Sequence, residues 1–459
     1  MLNKIPRPIR IVLIIVGLIV LAGIVYNIPF VNDKLAWRVD EFRGRVMAII
    51  NPPSQAVFVP GGQKTPQAGM RTGTLPPPQV QITAITNTPA FTATPQGPTS
   101  TPSITPTPLP ASVSLPGVKY IDQTGGYNLC GPSNLAMALK FWKWPGTRDE
   151  ILWAIKPGSN DAGLEFYKRG KSDKNVMPYE MVDFVNDETK LHAISRYGGN
   201  LDLLKRFIAA GYPMLIEKGE FQRDVNGVVS WMGHYQFITG YNDTTQTFLV
   251  QDTYIDGPNF KVSYEKLGTE WRAFNYIFMV VYPADHEEQV NHLLGNWQDE
   301  KWANQNALDI ANTEIKSVTG LDLYFAWFNK GTSFNQLQQY QDASSAYDEA
   351  FVLYPNLPLE KNQLPYRMMW YQTGPYRAYY YASRFQDVIN LANVTLSTVQ
   401  DGPTLEESLY WRGMAEEASG DNASAIADFQ RANHLNPRMT VIAEKLQSLG
   451  LIPETPLNK

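Results

Sequence analysis

Residues 52–116 set the first limit on how this chain can fold. They are rich in Pro, Thr, Gln and Ser, with runs such as TPQGPTSTPSITPTPLP. Such a stretch cannot bury enough apolar surface to offset the entropy lost on ordering it. It is expected to be a disordered linker, which divides the chain into a short N-terminal part and a long C-terminal part. As a random coil it would span roughly 40–50 Å, and as a polyproline-like chain about 200 Å. Linkers of this kind hold a domain away from a surface.

Upstream, residues 11–28 (IVLIIVGLIVLAGIVYNI) carry no charge and follow Lys4, Arg7 and Arg10. The run is long enough to span a bilayer. A secretory signal would have a shorter apolar core and a small-x-small cleavage site. Here the run continues into Tyr26, Pro29 and Phe30 instead. Residues 1–32 are therefore expected to be a cytoplasmic tail and an uncleaved transmembrane helix, giving a single-pass protein of the cell membrane. Lys34, Arg38, Arg43 and Arg45 follow the run, so charge asymmetry says little about orientation. The linker argues for an extracytoplasmic bulk. Within 33–51, Leu35, Val39, Phe42 and Val46 recur at helical spacing and predict a juxtamembrane helix.

Residues 117–285 read as one α+β domain. Apolar periodicity predicts helices after Cys130, over 179–185 and over 201–208. Strand patterns come next at 213–217, 234–239, 247–251 and 276–282, with turn residues between them. Helices followed by antiparallel strands is an α+β order. Residues 286–459 read as helical throughout. A 34-residue frame from Tyr324 carries Trp327, Gly331, Phe334, Tyr340, Ala343, Tyr347, Ala350 and Pro355. The same frame from Glu406 carries Gly413, Ala425, Phe429, Ala432 and Pro437. A weaker unit lies at 370–394, and a final helix at 440–449 would close the open face. This all-α part resembles the tetratricopeptide repeat family, which implies a surface for a protein partner. The tyrosines at 376–381 are read as packing.

The only cysteine of the chain lies in Gln123-Thr-Gly-Gly-Tyr-Asn-Leu-Cys130-Gly-Pro-Ser-Asn134. A single cysteine excludes an internal disulfide framework and argues against a cysteine zinc site. Pro132 favours the first turn of a helix, where its missing N–H costs nothing. Cys130 then sits at the positive end of the helix, which favours the thiolate. A thiolate nucleophile needs a base, and the base needs an orienting group. Of the five histidines, His192 and His434 fall in or beside polar helical stretches, and His286 and His292 in a charged, linker-like segment. His234 opens an apolar strand after Gly233. The next strand ends in Gln251-Asp252, which a turn at 241–246 would bring near His234. The net charge of −5 comes from mixed signs, so there is no basic footprint for nucleic acid. No cofactor or metal is expected.

Residues 118–283 resemble papain-fold cysteine peptidases, most closely the bacteriocin-processing, double-glycine-leader type. The matching pieces are Gln123, Asn128-Leu-Cys130-Gly-Pro-Ser, 210–216, 233–241 and Val250-Gln-Asp252. The resemblance implies Cys130 as nucleophile, His234 as base and acid, Asp252 as orienter and Gln123 as oxyanion donor. The family's Asp-Pro reads Asp252-Thr here, so Asp256 stays open for the third role. The segment 219–232 looks long and is expected to cover or shape the cleft. Anchor, linker and resemblance together imply a membrane-anchored cysteine peptidase acting on a peptide or protein. Two alternatives stand beside it: acyl transfer by the same residues, and a non-catalytic adaptor that binds peptide through its helical repeats.

Overall fold

The computed structural model describes residues 6–26, scattered positions between 28 and 50, and 57–61. It then describes 108–126, 128–155, 175–224, 227–360, 363–399 and 404–455. Residues 1–60 with 110–459 form one compact unit, and 61–109, most of which lies outside the described residues, form a second. The juxtamembrane helix expected at 33–51 and the body of the linker lie largely outside the described residues.

The first helix, α1 (Arg7–Tyr26), is 20 residues long. Its apolar side chains are exposed on all sides. The helix begins among Arg7 and Arg10 and stops at Tyr26, before the uncharged run ends. Its uncharged part, from Ile11, is about 24 Å long at 1.5 Å per residue, less than the ~30 Å hydrocarbon core of a bilayer. Among the described residues no helix is long and apolar enough to cross a membrane. The expected transmembrane anchor is therefore not found.

The linker is also shorter than its composition suggests. At its start Phe58 is buried against Phe351, with ring centroids 5.0 Å apart edge to face. At its end Ser112–Ser114 forms a short strand, β1, whose Val113 pairs with Tyr241. Both ends offer apolar residues that find a partner.

The sheet is antiparallel throughout. Its further strands are β2 (Leu191–Arg196), β3 (Met214–Arg223), β4 (Val229–Asn242), β5 (Thr247–Gln251), β6 (Phe260–Ser263) and β7 (Phe278–Pro283). Their spatial order is β2-β7-β3-β4-β5-β6, with β1 on β4. Side-chain alternation along β3 sends Leu215 to one face and Met214 and Ile216 to the other. The first face packs against α2 (Cys130–Phe141), α3 (Arg148–Ile155) and α4 (Pro178–Glu188). The second packs against α5 (Leu201–Ala209), α6 (Tyr264–Arg272) and α7 (Glu287–Leu294).

Three expectations change here. The described residues of 219–232, expected to cover or shape the cleft, are mostly strand. They extend β3 and β4 into one long hairpin, paired from Met214↔Ile238 out to Arg223↔Val229. His192 lies on edge strand β2, with Nδ1 3.1 Å from Glu287 Oε2, and not in a helical stretch. The segment around His286 and His292 is no linker: α7 buries Val290, Leu293 and Leu294 beneath the sheet. His286 itself meets the Tyr212 hydroxyl at 2.8 Å.

The remaining helices pair antiparallel or stack. They are α8 (Glu300–Glu314), α9 (Gly320–Gln336), α10 (Tyr340–Leu353), α11 (Met368–Tyr371), α12 (Gly374–Tyr381), α13 (Phe385–Ser397), α14 (Glu406–Ala418), α15 (Asn422–Leu435) and α16 (Thr440–Ser448). Gly331 faces the Tyr347 ring, and a Cβ there would stand 2.7 Å from it; Gly413 faces Phe429 at 2.8 Å in the same way. A small residue on one helix thus admits an aromatic from the next. Tyr376 and Tyr379 are fully buried, as packing requires, whereas Tyr381 is 53% exposed and stacks on Tyr340. Around 370 the chain breaks into α11 and α12 at Thr373, just ahead of Pro375, whose ring cannot continue a helix from the preceding turn.

The helical region is not a separate body. Its aromatic core (Tyr324, Phe325, Phe328, Tyr347 and neighbours) continues without a break into Trp231, Phe274 and Ile277 of the sheet region. Trp231, on the hairpin, lies 5.6 Å from Phe325 and stacks on Phe274 at 6.0 Å. Buried Arg367 reaches from the helices to Asp224 Oδ2 at the hairpin tip (2.5 Å) and to Ser230.

Candidate active site

Cys130 is the first residue of α2. The chain enters the helix through Asn128, whose φ of 55° lies in the left-handed region that asparagine tolerates. No side chain caps the first turn, so its N–H groups point to the helix N-terminus unpaired by a cap. The helix end occupies a gap in the sheet. The last β4–β5 pair is Phe237↔Gln251, so the edge of β4 beyond it has no strand partner. Tyr235 lies on that free edge. Its carbonyl accepts from Asn134 Nδ2 (3.0 Å), and Asn134 also donates to the Cys130 carbonyl (2.9 Å). The N–H groups of Tyr235 and Gly131 and the His234 ring surround the Cys130 sulfur closely enough to lower its pKa.

His234 is one residue further along the same edge and is buried. Its Nε2 lies 3.0 Å from Asp252 Oδ2. The ring's other nitrogen, Nδ1, is thereby left for the sulfur. Asp252 comes directly after β5 and is fully buried. Its Oδ1 accepts from the backbone N–H groups of Tyr254, Ile255 and Asp256, at 2.9, 3.1 and 3.3 Å. Asp256, the alternative orienter, contributes only its N–H to this turn and makes no bond to His234. Gln123 lies beside the same loop. Its N–H donates to the Thr253 carbonyl (2.9 Å), and its Oε1 accepts from the Thr253 hydroxyl (2.8 Å). That bond turns the amide's NH2 end away from Thr253, and among the described residues it makes no hydrogen bond. All four expected residues thus lie around one point, where α2, β4 and the β5–β6 loop meet.

The electrostatics are those of an ion pair. Burial would favour the neutral thiol, yet the bonds and charge of His234 and the two N–H groups hold Cys130 below the ordinary thiol value. Burial would also discharge His234, but the Asp252 carboxylate pushes it up to about 10. Asp252, although buried, is held below the usual carboxylate range by His234 and by its backbone donors. Cys130 itself is only half-buried, so the nucleophile is reachable.

Sequence reasoning missed the groups that hold this arrangement. Asn134 could have been found, since i and i+4 share a helix face and it lies four residues after Cys130. Thr253 could not: it replaces the proline of the resembled pattern and gains a hydroxyl that clamps Gln123. Behind His234 stands Lys218, its register partner on β3. Lys218 is 2% exposed and lies 2.8 Å from both Glu220 and Glu270. Glu217 faces Tyr235 across the hairpin. Burial, then the Cys130 charge, raises its carboxyl well above the ordinary value. Among the described residues Glu220, His234 and Asp252 are the group whose ligand atoms, all within 4.8 Å, could hold a metal ion. In this structure His234 and Asp252 bond each other, and the Lys218 ammonium takes one Glu220 oxygen.

Residues 116–278 match the model of the Peptidase_C39 like family. The region is a papain-like cysteine peptidase domain, followed by a helix-rich C-terminal region. The chain is similar in structure to a C39-like peptidase from Bacillus anthracis, with 18% identity and a TM-score of 0.29. That match covers 37% of this chain and 96% of the other. It is also similar to xylellain, a cysteine protease from Xylella fastidiosa, with 15% identity and a TM-score of 0.26, covering 39% and 87%. No curated protein matches it.

Proposed function

We propose that the chain is a cysteine peptidase in which Cys130 is the nucleophile, His234 the general base and acid, Asp252 the orienter and Gln123 an oxyanion donor. The observation that carries this reading is the His234 Nε2–Asp252 Oδ2 bond of 3.0 Å, and the same His234 lowers the pKa of the Cys130 thiol. Asp252 fixes the imidazole and stabilises its charged form, so the sulfur rests as a thiolate. The thiolate attacks the scissile carbonyl carbon and its electron pair moves onto the oxygen. The resulting oxyanion accepts from the Gln123 amide and from the Cys130 N–H, at the positive end of α2. His234 then gives its proton to the departing amine as the C–N bond breaks. Water, deprotonated by His234, releases the acyl group from the sulfur.

The helical pairs are read as tetratricopeptide-like, with the Gly331–Tyr347 and Gly413–Phe429 contacts as support. The test is direct, because the chain holds a single thiol. Cys130→Ala and Cys130→Ser should both abolish peptide hydrolysis, and Cys130→Ala should also abolish labelling by iodoacetamide. Hydrolysis that persists in both variants would overturn the mechanism.

A further inference from the structure

Tyr371 ends α11, the short helix of the helical region that lies against the hairpin. Its ring packs on Gly233, the residue before His234: a Cβ on Gly233 would stand 3.0 Å from the Tyr371 ring and 2.7 Å from Phe274. Trp231 and Phe274 hold the ring edge-on, at 6.2 and 6.0 Å. The ring is therefore fixed on three sides by the peptidase hairpin and its neighbours. Its hydroxyl is different. Among the described residues it makes no hydrogen bond, and the side chain is only half-buried. The anchored ring thus presents a solvent-reached hydroxyl at a fixed place beside the hairpin, able to donate or accept a hydrogen bond. Gly233 and Tyr235 share one face of β4, the face that packs against α2, so the ring lies on the side of the sheet that carries Cys130.

We propose that Tyr371 forms one wall of the substrate cleft and that its hydroxyl hydrogen-bonds a backbone group of the bound peptide next to the scissile bond. The helical region thereby completes the peptidase site, and Tyr371 is a substrate-positioning residue. A peptide presents an N–H and a C=O at every residue, and a phenol can serve either. The hydroxyl therefore takes the peptide class of substrate without requiring a particular side chain. This inference rests on the reading of Cys130 as the nucleophile.

The test compares two alkylating probes on the full chain, wild type against Tyr371→Phe, which keeps the ring and removes the hydroxyl. Iodoacetamide reads the thiolate alone. A pool of acetyl-dipeptidyl chloromethyl ketones reads the thiolate and the cleft together. The expected result is a roughly three- to tenfold slower reaction of the peptidyl probes, the scale of one ordinary hydrogen bond, with the iodoacetamide rate and the melting temperature unchanged. Peptidyl rates equal to wild type, or both rates falling in step, would overturn the proposal. If iodoacetamide fails to label the wild type, the nucleophile reading falls first and this one with it. Tyr371→Ala serves as the second variant. It should slow the peptidyl probes further than Phe does, and an equal effect of Phe and Ala would overturn the ring's part as a cleft wall.

Discussion

Asp252 carries two bonded systems on its two oxygens. One faces His234 and the other gathers three backbone N–H groups from the next turn. Removing the carboxylate takes away the largest influence raising the His234 pKa. In Asp252→Ala the imidazolium should lose its proton at lower pH, so the alkaline limb of kcat/KM should move down from about pH 10. Activity should fall by about 10²–10⁴-fold, the range typical of acid–base assistance. Asp256→Ala should leave both limb and rate near wild type, because Asp256 contributes only its backbone to the turn. A pH–rate profile of the two variants decides between them. The same pair bears on stability. The Asp252 pKa is depressed, so its contribution is present above the unfolded value near 4 and is lost as the pH falls below it. The His234 pKa is raised, so its contribution is complete below about 6.5 and is lost as the pH rises through about 10. The melting-temperature difference between wild type and Asp252→Asn should therefore be widest between about pH 4 and 6.5 and should shrink toward pH 10. At this scale the sequence is readable where chemistry demands a residue type: a thiol at a helix start, an imidazole after Gly233, a carboxylate at a strand end. It is not readable at Thr253, Glu217 or Lys218, whose roles depend on which strand lies opposite.

The hairpin of β3 and β4 links the site to the rest of the molecule. Its outer half does not read as strand, because residues 219–232 mix Gly, charged and polar residues without clean alternation. The physical reason is that this half is buried among polar partners on one side and aromatics on the other. Lys218 and Glu220 form a buried ion network there, and Trp231 enters an aromatic core. Buried ion networks are sensitive to the loss of one member. Lys218→Met should destabilise the chain by about 3–5 kcal/mol, because Glu220 would remain buried with neither oxygen paired: its Oε1 already has no partner. Lys218→Met/Glu220→Leu should recover most of that loss. Urea unfolding monitored by tryptophan fluorescence would show it, and equal losses in the single and double variants would contradict the network. The strand at 247–251 and the helix after Asn200 are legible because each has one polar and one apolar face, and the helix after Cys130 because Pro132 opens an apolar run that is buried all round. β2 and β6 are not: both are short edge strands, β2 has polar residues on both faces, and β6 has only four residues.

At the scale of the molecule, sequence composition suggests two modules, a peptidase and a set of repeats. The structure joins them through one apolar core. Trp231, Phe274 and Ile277 come from the sheet region, and Phe325, Tyr347, Met369 and Tyr376 from the helices. Phe58 from the far side of the linker packs into the same cluster. No periodicity within either region could report this, because a shared core depends on long-range docking and not on local pattern. The arrangement predicts what truncation would do. A chain ending at residue 298 would keep the sheet and its flanking helices on both faces, together with Cys130, His234, Asp252 and Gln123. It would also expose Trp231 and Phe274, both now almost fully buried, and would leave Asp224 without Arg367. Exposed aromatic patches of this kind drive association, and the hairpin carrying them also holds His234. The truncated chain should therefore aggregate or bind a hydrophobic dye strongly, and its Cys130 should react with iodoacetamide more slowly than in the full chain. Size-exclusion chromatography, dye binding and the alkylation rate, measured side by side, test this. A soluble truncated monomer with the full-length alkylation rate would show that the helices are dispensable to the site, and would return them to the role of a separate adaptor.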